Sequence, residues 1–143
     1  MMALNLEFTE GFKFFNYVVF FMKKDQPWPG FDPLIHEPVR FIIMEALCQK
    51  PRFFYEFRDY AKDKDSLKIT AGNLSSHLAR LEDAHYIEAY RRYAGRTPVT
   101  SYKITETGRT SFEGYLEGAF YRLQESLAAI NGLKVVRLSN DVQ

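Results

Sequence analysis

Thr70-Ala71-Gly72-Asn73-Leu74-Ser75-Ser76-His77-Leu78-Ala79-Arg80-Leu81-Glu82 is the stretch on which the fold turns. Leu74, Leu78 and Leu81 recur at helical spacing, so a helix lays all three on one face. Thr70 stands where a side-chain oxygen can cap the first turn. Asn73, Ser75, Ser76, His77 and Arg80 fall largely on the other faces. Gly72 bares the backbone at the positive helix end, where a phosphate could come close. The pattern is that of a helix packed on one side and presenting short polar groups on the other.

Two apolar helices precede it. The first begins near Pro38, whose fixed φ suits a first helical turn, carries Val39, Ile42, Ile43, Ala46 and Leu47 as its stripe, and stops at Lys50-Pro51. Phe53, Phe54, Phe57 and Ala61 mark a short helix after it. Lys62-Asp63-Lys64-Asp65-Ser66 alternates in sign without an apolar anchor and reads as a solvated loop. Farther upstream, Thr9-Glu10 opens a helix over about residues 10–24 with Phe12, Phe15, Val19 and Met22 at helical spacing, although the β-branched and aromatic run Tyr17 to Phe21 keeps a strand open. The proline-rich segment Asp25 to Gly30 then breaks the chain as a linker.

After the polar helix the period falls to two. Tyr86 to Arg92 and Val99 to Ile104 read as strands joined by Tyr93-Ala94-Gly95-Arg96-Thr97-Pro98, a connection longer than a tight turn. A last helix starts at or shortly after Thr105. Its apolar positions Phe112, Leu116, Ala119, Leu123 and Leu127 or Ile130 advance largely by threes and fours, a seam of coiled-coil type that suits pairing with a second chain, with an intramolecular core as the rival reading. The tail from Leu133 to Gln143 carries no strong signal. The chain thus divides into an aromatic N-terminal helix and linker (1–30), a core (31–109), a pairing helix (110–132) and a tail (133–143).

Composition narrows the function. The 143 residues suit one folded domain, with 46% hydrophobic and 26% charged side chains. The longest apolar window, Phe14 to Met22, is interrupted by Asn16 and is too short to span a bilayer. With no secretory signal pattern and the single cysteine Cys48, which reads as inert core, a cytoplasmic setting is expected. The net charge of +1 hides an asymmetry: residues 40–109 carry 13 Lys and Arg against 9 Asp and Glu, while the flanks lean acidic. His36, His77 and His85 lack ligand spacing, so no metal is expected. No glycine-rich phosphate loop, nucleophile context or buried carboxylate pair points to an enzyme or a cofactor.

Three ordered blocks carry a family resemblance. Asp32-Pro33-Leu34-Ile35-His36-Glu37-Pro38-Val39-Arg40, the polar helix Thr70 to Glu82, and Gly95-Arg96-Thr97-Pro98-Val99-Thr100-Ser101-Tyr102-Lys103-Ile104-Thr105-Glu106-Thr107-Gly108-Arg109 together resemble the small winged helix-turn-helix regulators of the MarR and ArsR groups, over about residues 32–123. The resemblance implies a mainly α fold with a small β-hairpin wing, flanked by extra N- and C-terminal helices. It also implies a homodimer that sets its recognition helix in the major groove of double-stranded DNA and its wing on the backbone or minor groove.

On that reading Thr70, Gly72, Asn73, Ser75, Ser76, His77 and Arg80 of the helix, with Arg91, Arg92, Arg96 and Thr97 of the wing, are the DNA-contact candidates. Asn can read adenine bidentately and Arg can reach guanine or phosphate. Arg91 and Arg92 point to opposite faces of a strand, so one of them faces DNA at most. Phe12, Phe15, Val19, Phe112, Leu116, Ala119, Leu123 and Leu127 are the pairing candidates, and the aromatics of residues 8–31 leave room for a small-molecule effector. Two departures from the family stand out: a link lengthened by about six residues around Lys62 to Leu67, and His85 where glycine is usual after the recognition helix. A winged helix used as a protein-binding adaptor is the competing function.

Overall fold

A computed structural model describes residues 26–65 and 68–132. The expected helix over about 10–24, with Phe12, Phe15 and Val19, and the tail 133–143 lie outside the described residues. The chain divides into two compact units, Asp32–Glu113 and, among the described residues, 26–31 with 114–132.

In the first unit, helix α1 spans Pro38–Gln49. Glu37 caps it by accepting from the Arg40 amide at 2.9 Å, and Pro38 fills the first helical position, where no amide donor is needed. Val39, Ile42, Ile43, Met44, Ala46 and Leu47 are buried, so α1 forms the centre of the core. At its far end the buried guanidinium of Arg52 donates to the Ala46 carbonyl at 3.1 Å and to Gln49 Oε1 at 3.0 Å, placing a cation where the helix end is negative.

Arg52–Phe53 form a two-residue strand β1, and helix α2 runs Phe54–Asp65. Two sequence expectations change here. Phe53, read as part of the helix, lies before it, and its amide donates to Glu56 Oε2 at 2.6 Å, half of a capping box. Lys62 to Asp65, read as loop, are helical, so much of the lengthened link is an added turn of α2. Alternating Lys and Asp without an apolar anchor resemble loop, but a helix already nucleated by Phe57, Tyr60 and Ala61 in the core extends through Lys62 to Asp65 at little cost.

Helix α3 spans Ala71–Asp83, capped by Thr70, with Leu74, Leu78 and Leu81 buried as their spacing required. It ends in a Schellman motif, the Tyr86 amide donating to the Leu81 carbonyl at 3.0 Å and the His85 amide to the Glu82 carbonyl at 2.9 Å. His85 sits at the left-handed position with φ 61°. His85→Gly is therefore expected to leave stability unchanged or raise it by up to about 1 kcal/mol, whereas His85→Val, branched at Cβ, should lose about 1–2 kcal/mol, both read by thermal unfolding.

Strands β2 (Ile87–Ala94) and β3 (Thr97–Ile104) form the hairpin, from the Ile87–Ile104 pair to the Ala94–Thr97 pair. The sheet order is β1-β3-β2, all antiparallel. The expected six-residue connection is a two-residue turn, Gly95-Arg96, with Gly95 at φ 66° as a tight hairpin demands. Pro98 lies within strand β3 and not in the turn. It faces Tyr93 on the strand, beyond Ser101 and Tyr102 where β1 pairs with β3, so its missing amide donor breaks no ladder bond there.

Helix α4 runs Glu106–Ile130. Thr105 caps it, its Oγ1 accepting from the Gly108 amide at 2.9 Å and donating to the His85 carbonyl at 2.7 Å. A Cβ on Gly108 would collide with the Tyr86 carbonyl, which explains the threonine-glycine pair. Phe112 is buried and meets Phe41 edge-on at 5.4 Å. This unit is the winged helix expected from the sequence, mainly α with a small β wing.

In the second unit, residues 26–30 of the segment read as a linker are packed. Trp28 lies edge-on to Phe31 at 5.0 Å and to Tyr115 of α4 at 5.8 Å, and Pro29 is buried. Beyond Tyr115, α4 leaves Leu116, Phe120, Leu123, Leu127 and Ile130 exposed, at 38%, 56%, 62%, 60% and 80%.

Candidate nucleic-acid interface

The outer side of α3 follows from its inner side. With Leu74, Leu78 and Leu81 in the core, the helical period turns Gly72, Asn73, Ser75, Ser76 and Arg80 outward, and all five are exposed. Thr70 Oγ1 accepts from the Asn73 amide at 3.2 Å, so the cap satisfies the first turn and the Asn73 carboxamide is not needed for it. At Gly72 an added Cβ would meet nothing within 4 Å, so no neighbour in the chain demands a glycine at this position. The first turns of α3 thus offer amide hydrogens, hydroxyls and a carboxamide, and its last turn adds the Arg80 guanidinium on the same open side.

His77 behaves differently from the other helix candidates. Its side chain is 12% exposed and turned toward α1, with Nδ1 3.1 Å from Arg40 Nη1 and 3.4 Å from Glu37 Oε2. Burial holds its pKa below the ordinary histidine value, Arg40 and Arg80 press the same way, and Glu37 opposes them. The ring is therefore neutral at pH 7 and accepts from Arg40 rather than forming an ion pair with Glu37. Arg40 is itself buried, and its Nε donates to the Leu34 carbonyl. Leu34, Glu37, Arg40 and His77 form one polar knot that ties α3 to α1 and to the segment before it.

The wing arginines separate. Arg91 is forked onto Glu82 of α3, with Nη2 2.9 Å from Oε2 and Nη1 3.2 Å from Oε1, so it braces the wing against the helix. Arg92, on the opposite face, lies 6.0 Å above the Phe53 ring. Arg96 and Thr97 stand exposed at the hairpin tip. Tyr90 and Tyr93, absent from the sequence candidates, expose 51% and 76% of their surface on the same wing. An apolar-looking residue in a strand reads as core, and only the projection of this hairpin beyond the helices leaves these rings outside.

The pairing candidates also separate. Phe112 is held within its own unit, Ala119 is half-buried, and Leu116, Leu123 and Leu127 are exposed. Phe120, which the sequence reading passed over, is exposed with them. Burial keeps the half-buried Cys48 thiol above its usual pKa. Among the described residues no group of three His, Cys, Asp or Glu is placed to hold a metal ion, and no helix is long and apolar enough to cross a membrane.

Residues 39–119, more than half of the chain, match the family described as winged helix DNA-binding domain. An uncharacterised protein of Methanocaldococcus jannaschii is 33% identical over 61 residues, 43% of this chain and 66% of that protein, so the chain spans just under two thirds of this relative. A transcriptional regulator from Clostridium thermocellum superposes with a TM-score of 0.54 at 27% identity, covering 71% of this chain and 95% of its own. Bacillus subtilis PadR, solved in complex with operator DNA, has the same fold, with a TM-score of 0.52 at 17% identity over 56% of this chain and 47% of its own. A PadR family regulator from Clostridium difficile superposes at 0.54 with 16% identity, over 66% of this chain and 98% of its own. The winged-helix part of the sequence resemblance stands. Its MarR and ArsR subtype gains no support, the likeness being to PadR structures.

Proposed function

The chain belongs to the winged helix DNA-binding domain family, and from that premise we propose that it is a sequence-specific transcriptional regulator of PadR-like type that binds double-stranded DNA as a homodimer. The observation that carries the reading is the division of α3 into a buried leucine face and an exposed face, on which Asn73, Ser75 and Ser76 stand near the capped, positive N-terminus and Arg80 in the last turn. An exposed helix end with bare backbone at Gly72 fits the approach of a phosphate, and Arg96 at the wing tip fits a second strand contact. The operator complex of the Bacillus subtilis relative supports the same use of this fold. The exposed apolar row on α4 supports the homodimer.

Asn73→Ala and Arg80→Ala test the reading. Each should lose affinity for the operator by about 1–3 kcal/mol, roughly fivefold to 150-fold, because each removes a base or phosphate contact. Both side chains are exposed, so the thermal midpoint should not move. The operator is obtained by selection from a random duplex pool, and affinities are read by fluorescence anisotropy. Unchanged affinity in both variants would move the reading to the protein-binding adaptor.

A further inference from the structure

His77 turns inward on the helix proposed to read DNA, and its ring meets two groups of opposite charge. Nδ1 lies 3.1 Å from Arg40 Nη1 and 3.4 Å from Glu37 Oε2, both at the start of α1. This nitrogen either carries a proton or lacks one, and the two states call for different partners. Neutral, Nδ1 offers a lone pair to the guanidinium, which fixes the ring hydrogen on Nε2. Protonated, it is a donor facing a donor that is itself a cation, and the acceptor within reach is Glu37 Oε2. That oxygen is already engaged, since it accepts from the Arg40 amide at 2.9 Å and caps α1. Charging the ring therefore removes the hydrogen bond between α3 and α1 and sets the ring in competition for a helix cap.

Neither neighbour can easily give way. Arg40 does not shed its charge, is 7% exposed, and is tied by Nε to the Leu34 carbonyl in the segment before α1. The charged groups that act on the ring are Glu37 and Arg40 from α1 and its cap, and Arg80 from α3 itself. Burial resists the proton, Glu37 favours it, and the two arginines oppose it, so the folded chain takes it up at a lower pH than the unfolded one. A group depressed in the fold contributes its stability in full above the ordinary histidine value of 6.5, and that contribution is lost as pH falls from there toward the folded value.

We propose that His77, Arg40 and Glu37 form an acid-sensitive latch, in which uptake of one proton at His77 Nδ1 breaks its bond with Arg40, loosens α3 from α1 and so weakens the hold on operator DNA. The proposal rests on the DNA-binding reading above and adds a regulation of the same helix. Its direction is diagnostic. Acid makes a protein more positive, which by charge alone tightens its binding to phosphates, and the latch demands the opposite.

The test measures operator affinity by anisotropy at constant ionic strength between about pH 8 and about pH 5, the range in which a histidine changes charge. Wild type should bind evenly in the upper part of the range and then lose affinity by up to about tenfold per pH unit for each subunit, the limit set by one linked proton. His77→Gln, whose carboxamide oxygen can accept from Arg40 at every pH, should abolish the fall. Glu37→Gln, which removes the carboxylate that favours the charged ring, should move the fall to lower pH. The His77 ring signals of the free protein, followed by NMR, should titrate where the fall begins, which keeps the proposal open to refutation even if a variant does not fold. A wild-type affinity that holds or rises in acid, the same fall in His77→Gln, or a ring that titrates elsewhere overturns the latch and leaves the regulator reading in place. Wild type that does not bind DNA at neutral pH overturns both.

Discussion

Arg40→Met should cost about 3 kcal/mol of folding stability, a large effect for one polar residue. The Arg40 side chain is 8% exposed and donates to Leu34, to His77 and, at the longer distance of 3.9 Å, toward Glu37. Methionine replaces its volume but none of its donors, leaving the Leu34 carbonyl without this donor and His77 Nδ1 with only the Glu37 carboxylate 3.4 Å away, at about 1–3 kcal/mol for each hydrogen bond lost. The Glu37 carboxylate is 28% exposed, so water recovers part of its loss and the total stays near the lower end of what a severed buried pair costs. Urea unfolding measures the effect. Adding His77→Leu, which removes the acceptor that has lost its donor and fills its place with an apolar group, should recover part of the loss, and an additive double variant would show that the two residues do not act through each other. Because the knot holds α3, Arg40→Met should also weaken operator binding more than its distance from DNA suggests.

Leu116→Asp/Leu123→Asp should turn a dimer into monomers and reduce affinity for a palindromic operator by at least two orders of magnitude, on the homodimer reading. Leu116, Phe120, Leu123, Leu127 and Ile130 follow one another by four, three, four and three residues along α4, and all five are exposed. That is the spacing of a seam between two helices. A buried leucine contributes about 1.5–3 kcal/mol, symmetry doubles the count, and an aspartate placed at the same point is costlier still. Since the positions are exposed in the single chain, the folded monomer should survive, with its helix content unchanged by circular dichroism. Sedimentation at micromolar concentration decides the matter, and a wild-type monomer there would remove the homodimer from the proposed function.

What the sequence disclosed, and what it withheld, follows the range of the interactions involved. Thr70, Leu74, Leu78 and Leu81 could be read as a capped amphipathic helix because every cue lies within a few turns of every other. The same holds for Pro38 and for the threonine-glycine entry into α4. β1 was not readable, because two residues have no period and exist as a strand only by pairing with Ser101 and Tyr102 far along the chain. His77 looked like its exposed neighbours since its partners, Glu37 and Arg40, lie on another helix. Lys62 to Asp65 lacked the apolar anchor by which a helix is recognised, and their helicity is inherited from the turns before them. Arg91 and Arg92 were correctly placed on opposite faces, but which acid or ring each would meet required the register of the hairpin.

The division of α3 between buried leucines and an exposed polar face has a bearing on descent as well as on binding. Asn73, Ser75, Ser76 and Arg80 contribute little to the core, so on the proposed DNA-binding reading changes among them would alter which DNA is recognised while the fold beneath stays intact. Lineages that duplicate such a gene can drift in operator preference through a handful of codons without first acquiring stabilising mutations elsewhere. The knot at Arg40 and His77 has less latitude, because a change in either partner removes a hydrogen bond the other makes in a half-buried place. Selection should accordingly hold the two sides of this one helix to different rates, slow where it is anchored and fast where it reads.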